Sequence, residues 1–307
     1  MTAPAYVVIE QFTHVTPFGL GLWDVVTNAL VSEGLSVRIR ALAGTAVAST
    51  TIATATRSGL FAAHDLQRLR AFESGNEGLE AWAMPSPPRP HLIEVRDTVG
   101  RFLPFALHLL LPARGLALPP CADALWPIEL SSPVGMSPAA AVMPSYVPLF
   151  STPARTAPAG RATVRARILV NGASGAPAAW AVLELRHAGR LLARGIADAR
   201  GEVAAMFAYP EPPDPPPTSP GGGTAPTIPL SRQSWPIEIT VRYGAELPTY
   251  PVGARDAAPD LCDVLQQPTT AVFTSSPLAP LTEATLRYGE ALVLGAPSGA
   301  ELLISPA

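Results

Sequence analysis

Alternating apolar and polar residues are the main pattern in this chain, and they predict β-strands. In residues 35–41 every second residue is apolar and the residues between them are mostly polar, which is the pattern of a half-buried strand. Comparable alternating or apolar runs occur at 91–96, 105–111, 162–169, 179–186, 203–209 and 237–243. The chain is therefore expected to consist mainly of short strands.

The prolines support this expectation. There are 36 of them, spread through the chain, and a proline inside a helix removes a hydrogen bond and clashes with the preceding turn. Helical spacing is found at 63–73, where Leu66, Leu69 and Phe72 recur at intervals of three. One short helix is predicted there, although a strand flanked by loops fits the same residues.

Two parts of the chain are similar enough to predict an internal repeat. Residues 24–31 align with 171–178, because in both a polar residue opens a turn, Thr or Ser follows three positions later, and small residues lead into a strand. Residues 56–61 align with 198–203, and each contains a glycine that can adopt the positive φ of a tight turn. We interpret the two halves as divergent copies of one unit.

The repeat and the composition together divide the chain. We predict a first β-sandwich domain at 1–118, a Pro/Ala-rich linker at 119–150, and a second β-sandwich at 151–261. Within the second domain, 210–229 reads as a proline- and glycine-rich surface loop. Residues 262–307 are predicted to be a C-terminal β extension.

The extension contains two apolar segments, 284–294 and 300–305, on either side of the turn-forming residues 296–299. They predict a β-hairpin. Such a hairpin would either complete the second sandwich or add to the sheet edge of a neighbouring subunit, and the sequence leaves both possibilities open.

The turn sequences resemble the carboxypeptidase regulatory-like, or transthyretin-like, β-sandwich superfamily. Residues 174–178 (SGAPA) keep the end of its D-x-x-T-G-x-P-V turn, and 197–201 (ADARG) match its T-D-x-x-G element. The first copy departs from the pattern, with Asn28 in place of Gly and Leu30 in place of Pro. The resemblance implies two tandem immunoglobulin-like or transthyretin-like sandwiches, an all-β fold, and it implies little about function.

A narrower resemblance involves four short strings: 148–151 (PLFS), 178–181 (AAWA), 194–198 (RGIAD) and 209–212 (YPEP). They are similar to double-sandwich proteins of extracellular contractile injection systems, which are phage-tail-like particles. In such particles accessory sandwiches decorate or adapt the cap, sheath, tube or baseplate. The resemblance implies partners of that kind and a ring-forming oligomer, and it brings no catalytic residue with it.

Composition excludes several other classes. The net charge of −3 gives no basic surface for nucleic acid. The most apolar run, 102–111, is about half the length that a membrane-spanning helix needs, so no membrane insertion is expected. The N-terminus does not resemble a secretion signal. The expected location is the cytoplasm, where the protein is made and assembled, with release as part of an extracellular particle.

Cys121 and Cys262 stand alone, with no CxxC pair and no cluster of metal-ligand residues around them. We therefore expect neither a disulfide framework nor a metal site. The five histidines are scattered, and the only adjacent imidazole–carboxylate pair is His64-Asp65, which reads as a solvated turn. Asp256, Asp260 and Asp263 lack the ligand pattern of a calcium loop.

Catalytic motifs are also missing. Residues 172–176 (GASGA) fail the last position of the G-x-S-x-G elbow, and Ser174 is better explained as a turn residue. Gly221 to Gly223 are not followed by the Lys-Ser/Thr of a phosphate loop. The tryptophans Trp23, Trp180 and Trp235 are expected in the core. No catalytic residue, cofactor or metal is predicted.

Three functions compete at this point. The first is a non-enzymatic structural adaptor of a contractile particle, which would contact its neighbours through sandwich edges and the C-terminal extension. The second is a free-standing bacterial surface module that binds protein or carbohydrate. The third is an enzyme, which the absence of a catalytic motif argues against.

Overall fold

The structure, a computed structural model, describes residues 16–43, 46–67, 69–73, 88–113, 115–121, 146–172, 175–211, 229–246, 248–251, 258–275, 277–295 and 301–305. Strands make up most of these residues, so the predicted all-β class is confirmed. No helix in the described ranges is long and apolar enough to cross a membrane.

The first half contains ten strands and one short helix within the described residues. They are β1 (Phe18–Leu20), β2 (Leu22–Asp24), β3 (Ala29–Leu30), β4 (Leu35–Ala43), β5 (Ala46–Ile52), β6 (Thr54–Ala55), β7 (Phe61–Ala63), α1 (Arg70–Glu73), β8 (Arg89–Asp97), β9 (Phe105–Leu111) and β10 (Val147–Leu149).

The second half, again within the described residues, contains ten strands, a helix and one turn of 3₁₀ helix at Leu230–Arg232. They are β11 (Arg161–Val170), β12 (Val182–His187), β13 (Arg190–Ile196), β14 (Glu202–Ala208), β15 (Ser234–Arg242), α2 (Leu261–Gln266), β16 (Thr269–Ser275), β17 (Leu278–Pro280), β18 (Glu283–Arg287), β19 (Leu292–Val293) and β20 (Glu301–Ser305).

The sheets of the first half have the orders β5-β4-β8-β9, β1-β7-β6 and β10-β2-β3. Those of the second half are joined in the order β13-β12-β15-β16-β20-β11-β14, with β17, β18 and β19 beside this path. β16 links the two layers, because it begins beside β15 and continues beside β20. The layers enclose one apolar core, to which strands of both layers contribute.

The same pairings occur in both halves, as a repeat requires. β4 pairs with β5 and β8, and β8 pairs with β9. In the second half β12 pairs with β13 and β15, and β15 pairs with β16. In addition, β2 and β11 each have a parallel partner from the end of their own half, β10 and β20 respectively.

The two aligned turns have the same backbone hydrogen bonds. In the first half, Thr56 N–H donates to Leu60 O, and Gly59 N–H donates to Thr56 O. In the second half Asp198 and Gly201 repeat both bonds at the matching positions. The glycines have φ of 82° and 78°, in the left-handed region that other residues avoid.

Period-two burial explains why these segments form strands. In β4, Val37 and Ile39 are buried while Arg38 between them is exposed. β15 alternates in the same way over most of its length. Full burial of such a side chain stabilises the fold by about 1.5–3 kcal/mol. All seven predicted strand segments lie on observed strands, although β12 begins at Val182, three residues after the predicted start at 179.

The predicted helix at 63–73 is reduced to α1. Asp65 has a φ of 57°, which interrupts a helix, and its N–H donates to the Glu73 carboxylate. Leu66 and Leu69 are nevertheless buried, as their spacing indicated. The apolar pattern therefore identified the buried face but not the extent of the helix.

The end of the predicted linker is not a linker. Val147 and Leu149 are buried in β10, which pairs with β2 in the first half. Three residues are too few to show a period of two, so this strand could not be predicted from the alternation of apolar and polar residues. Residues 122–145 of the predicted linker, and 212–228 of the predicted loop, lie outside the described residues.

The predicted C-terminal hairpin is wrong. Within the described residues its two arms do not pair with each other: β18 pairs with β15, β19 with β11, and β20 lies between β11 and β16. Alternation shows which side of a strand is buried but not its partner strand. The proposed boundary between residues 261 and 262 falls inside α2, and the domain limits stay predictions.

Candidate functional site

The junction between the halves combines polar, apolar and covalent contacts among the described residues. It is built around residues 258–267, which we call the clamp segment and which contain α2. This segment lies in the connection from β15 to β16, whereas the equivalent connection from β8 to β9 needs only residues 98–104. The longer connection places α2 against β9 of the first half.

Asp260 joins the clamp segment to β9. Its Oδ1 accepts hydrogen bonds from Cys262 N–H at 2.8 Å and Asp263 N–H at 3.4 Å, which caps the N-terminus of α2. Its Oδ2 lies 2.7 Å from Nδ1 of His108, and Ala106 N–H donates to Pro259 O at 2.8 Å. One carboxylate therefore starts the helix and binds it to the first half.

A disulfide fixes the same contact covalently. Cys262 of α2 is bonded to Cys121, with the two Cα atoms 5.5 Å apart and a sequence separation of 141. The expectation that no disulfide forms was wrong. A pair so far apart in sequence leaves no local spacing signature, and only the fold brings the two thiols together.

Trp180 occupies the other side of the junction. Its φ is 65°, an unfavourable value for a bulky residue, and two contacts hold it there. The buried side chain of Gln267 donates from Nε2 to Trp180 O at 2.8 Å, and Trp180 Nε1 donates to Tyr250 OH at 2.7 Å. The ring packs in the same apolar core as Phe105 and Phe150 of the first half.

A small apolar cavity of about 10 Å³ remains beside this ring, roughly the space that one water requires. Its walls come from both halves and from the clamp segment: Leu103, Pro104, Phe105, Phe150, Trp180, Ile196, Pro259, Leu261 and Val264. The volume is too small for an ordinary ligand. The cavity is best described as a packing gap in the junction.

A second contact lies at the turn after β2. Arg155 donates to both carboxylate oxygens of Asp24, at 3.1 and 2.5 Å, and its guanidinium lies over the ring of Phe102. Burial alone would raise the pKa of Asp24, but the bonds from Arg155, Thr27 and Val26 outweigh it and lower that pKa. The Asp24 carboxylate is therefore held in its charged form.

Val26, two residues after Asp24, is buried against Ala204 and Met206 on the outer face of β14. The first half thus contacts the second at the turn after β2 as well as at the clamp segment. Two separated contacts resist rotation of one half against the other better than one does.

Glu184 forms an ion cluster on the outer face of the second half. Its Oε1 accepts from Arg194 Nε at 2.9 Å and from Arg242 Nε at 3.0 Å, and Arg186 Nη2 lies 3.7 Å from its Oε2. Burial is the main cause that lowers the pKa of Arg194, and the charge of Glu184 opposes it. A buried carboxylate is thus compensated by surrounding guanidinium groups.

Comparison with known proteins adds little. No protein-family model matches the chain, and no curated protein matches it. Among solved structures, the chain is similar to the C-terminal fragment of the pilus adhesin SpaC from Lactobacillus rhamnosus GG, at 9% identity over 94% of this chain and 96% of that one, with a TM-score of 0.18. A score so low carries no argument about fold or function.

The candidate catalytic and metal-binding residues of the sequence lie in separate parts of the structure. His64 and Asp65 are exposed in a turn, as expected. Asp198 shapes its turn, since its Oδ1 accepts from the N–H groups of Arg200 and Glu202. Asp263 accepts from Thr249 and is not grouped with other ligands. Ser174, Asp256 and residues 221–223 lie outside the described residues.

Two expected core tryptophans, Trp180 and Trp235, are buried, and Trp23 is partly buried and stacked on Tyr146. No group of three His, Cys, Asp or Glu side chains that could hold a metal is found in the described ranges. Among the described residues, His108 is hydrogen-bonded to Asp260 and has no hydrogen bond to a hydroxyl or thiol.

Proposed function

We propose that this protein is a non-enzymatic structural adaptor in a contractile, phage-tail-like injection particle. The observation that carries the structural role is the junction, where the clamp segment, the Cys121–Cys262 disulfide and the Asp24–Arg155 pair hold two sandwiches together. Such a body can transmit force or fix a spacing between two neighbours. The link to a contractile particle rests on the sequence resemblance at 148–151, 178–181, 194–198 and 209–212.

The absence of catalysis is part of this proposal. The polar groups that might serve in a reaction have structural partners instead: Asp260 caps α2, Asp24 binds Arg155, and Glu184 binds Arg194. The junction cavity of about 10 Å³ leaves no room for a substrate.

Partner contacts are assigned to sheet edges and exposed strands. The C-terminal strand β20 is internal, since it pairs with β11 and β16 and its Leu302 and Ile304 are fully buried. It cannot be donated to a neighbour without opening the second sandwich. The adaptor therefore uses other edges of its sheets.

Co-expression with the neighbouring genes tests the proposal. A tagged full-length chain should co-purify with a cap, sheath, tube or baseplate protein and keep that partner through a high-salt wash. Purification of the chain alone, from cells that produce complete particles, would reject the adaptor role. A tagged unrelated β-sandwich of similar size provides the control for non-specific binding.

A second candidate is a free-standing surface module that binds protein or carbohydrate. The disulfide favours it, because such bonds persist mainly in oxidising compartments outside the cytoplasm. Rapid alkylation of thiols in intact cells separates the two candidates. Cys121 and Cys262 should be reduced in a cytoplasmic adaptor before release, and oxidised from the start in an exported module.

A further inference from the structure

Among the described residues, one segment of the first half lies at the edge of two sheets. Residues 46–56 (AVASTTIATAT) contain no charged residue, proline or glycine. They form β5, at the end of the sheet β5-β4-β8-β9, and then β6, at the end of the sheet β1-β7-β6. We call residues 49–56 the open edge, since it can be followed from one sheet to the next.

The chain is an edge strand in both sheets, before and after it passes from one sheet to the other. At the crossing, Ala53 is buried and its N–H donates to Val37 O at 2.9 Å. On either side of it, Thr50, Ile52 and Thr54 are exposed, and Ile52 is 68% exposed. Within the described residues neither β5 nor β6 has a strand partner on its outer side.

The repeat supplies an internal comparison. The strand at the same place in the second half is β13, which begins with the exposed Arg190, while its Arg194 is largely buried and bonded to Glu184. Charged residues on an edge strand oppose its pairing with another chain, and edges of monomeric proteins usually have them or a proline. β13 thus has an exposed charge within the strand, whereas β5 and β6 have none and the first charged residue after them is Arg57.

The composition of the open edge points to a particular occupant. When an edge strand pairs antiparallel with its own copy about a two-fold axis, each residue meets a residue of the same short segment. A single charge near the centre would then oppose a like charge, whereas Ser, Thr, Ala and Ile meet without repulsion. The β-branched Thr and Ile also favour strand pairing.

We propose that the open edge pairs with the open edge of a second copy of this chain, which forms a two-fold dimer with a continuous sheet across it. This inference deepens the proposed adaptor role, on which it rests, by naming one of its contacts. The dimer would present two clamped bodies in a fixed orientation to the rest of the particle.

Sedimentation of the full-length protein over a wide concentration range tests this pairing. The wild-type chain should sediment with twice its chain mass. Thr50→Lys, or Thr54→Lys if the first variant fails to fold, should lose the dimer while its circular dichroism spectrum stays unchanged, and its melting temperature should no longer depend on protein concentration. Thr285→Lys is the matched control, because it adds the same charge to an exposed position of β18, which already carries Glu283 and Arg287.

A folded Thr50→Lys or Thr54→Lys variant that still dimerises would overturn the proposal, and so would a wild-type chain that remains monomeric at every concentration. Co-purification with particle proteins is measured separately. A monomeric chain that still binds the particle would therefore reject the open edge as a contact and leave the adaptor role intact.

Discussion

Oδ2 of Asp260 lies 2.7 Å from Nδ1 of His108, while Oδ1 of the same carboxylate caps α2. Asp260→Ala removes both interactions, and loss of the cap alone should reduce the free energy of unfolding by about 0.5–2 kcal/mol. Asp260→Asn should cost less, since Asn is also a good cap. Urea unfolding measures the free energy of unfolding of both variants. Equal losses for the two variants, or a larger loss for Asp260→Asn, would show that the cap is unimportant.

The disulfide should contribute more to the free energy of unfolding than the Asp260 cap does. Cys121 and Cys262 close a long segment of chain, and in the chain-entropy account such a link stabilises by about 2–5 kcal/mol. The double variant Cys121→Ser/Cys262→Ser should keep its strand content and unfold at a lower temperature. Reduction of the wild-type protein should give the same shift. Equal melting temperatures for oxidised and reduced protein would show that the bond does not hold the junction.

The two repeated turns offer a matched pair of glycines. A Cβ at Gly201 would lie 2.4 Å from Ile168 O, whereas at Gly59 it would meet Leu30 Cβ at an ordinary 3.6 Å. Both positions have positive φ, which costs a substituted residue about 1–2 kcal/mol. Gly59→Ala should show that cost alone, and Gly201→Ala should be clearly less stable. Thermal melting compares them directly, and equal losses would contradict the assigned clash.

His91 should make stability depend on pH. Burial is the main cause that lowers its pKa below the ordinary value of 6.5, because the charged imidazolium is poorly solvated there. The imidazole of His91 binds a proton more readily in the unfolded chain than in the folded chain. The free energy of unfolding is therefore at its maximum above about pH 6.5 and decreases as the pH falls below that value. Melting temperatures between pH 8 and 5 should show this fall in the wild-type protein.

The variant His91→Gln removes the titrating group while keeping a polar side chain. Its melting temperature should be lower overall but should vary less between pH 7 and 5 than that of the wild type. An unchanged pH slope would assign the effect to other groups.

Much of the fold was accessible from the sequence because it depends on local pattern. Alternation in segments such as 35–41 located the strands, and the sequence match between 56–61 and 198–203 identified two turns that have the same hydrogen bonds. In both cases the relevant physical rule acts over fewer than ten residues, so neighbouring positions contain the information.

The contacts of the junction could not be predicted from local sequence patterns. Cys121 and Cys262 are distant in sequence, and so are His108 and Asp260. Trp180 was read as part of a continuous strand, but its contact with Gln267 holds the chain in a turn before β12. The inclusion of β20 between β11 and β16 also depends on long-range packing. Such contacts join residues that are far apart in sequence, so no local pattern encodes them.

The central claim is that this chain is a structural subunit of a contractile particle. Cryo-electron microscopy of purified particles, from a strain with the gene and from one in which it is deleted, tests the claim most directly. We predict that paired sandwich density occupies regular positions around a ring in the first sample and is missing from the second. Particles that are identical in composition and density in both samples would contradict the account.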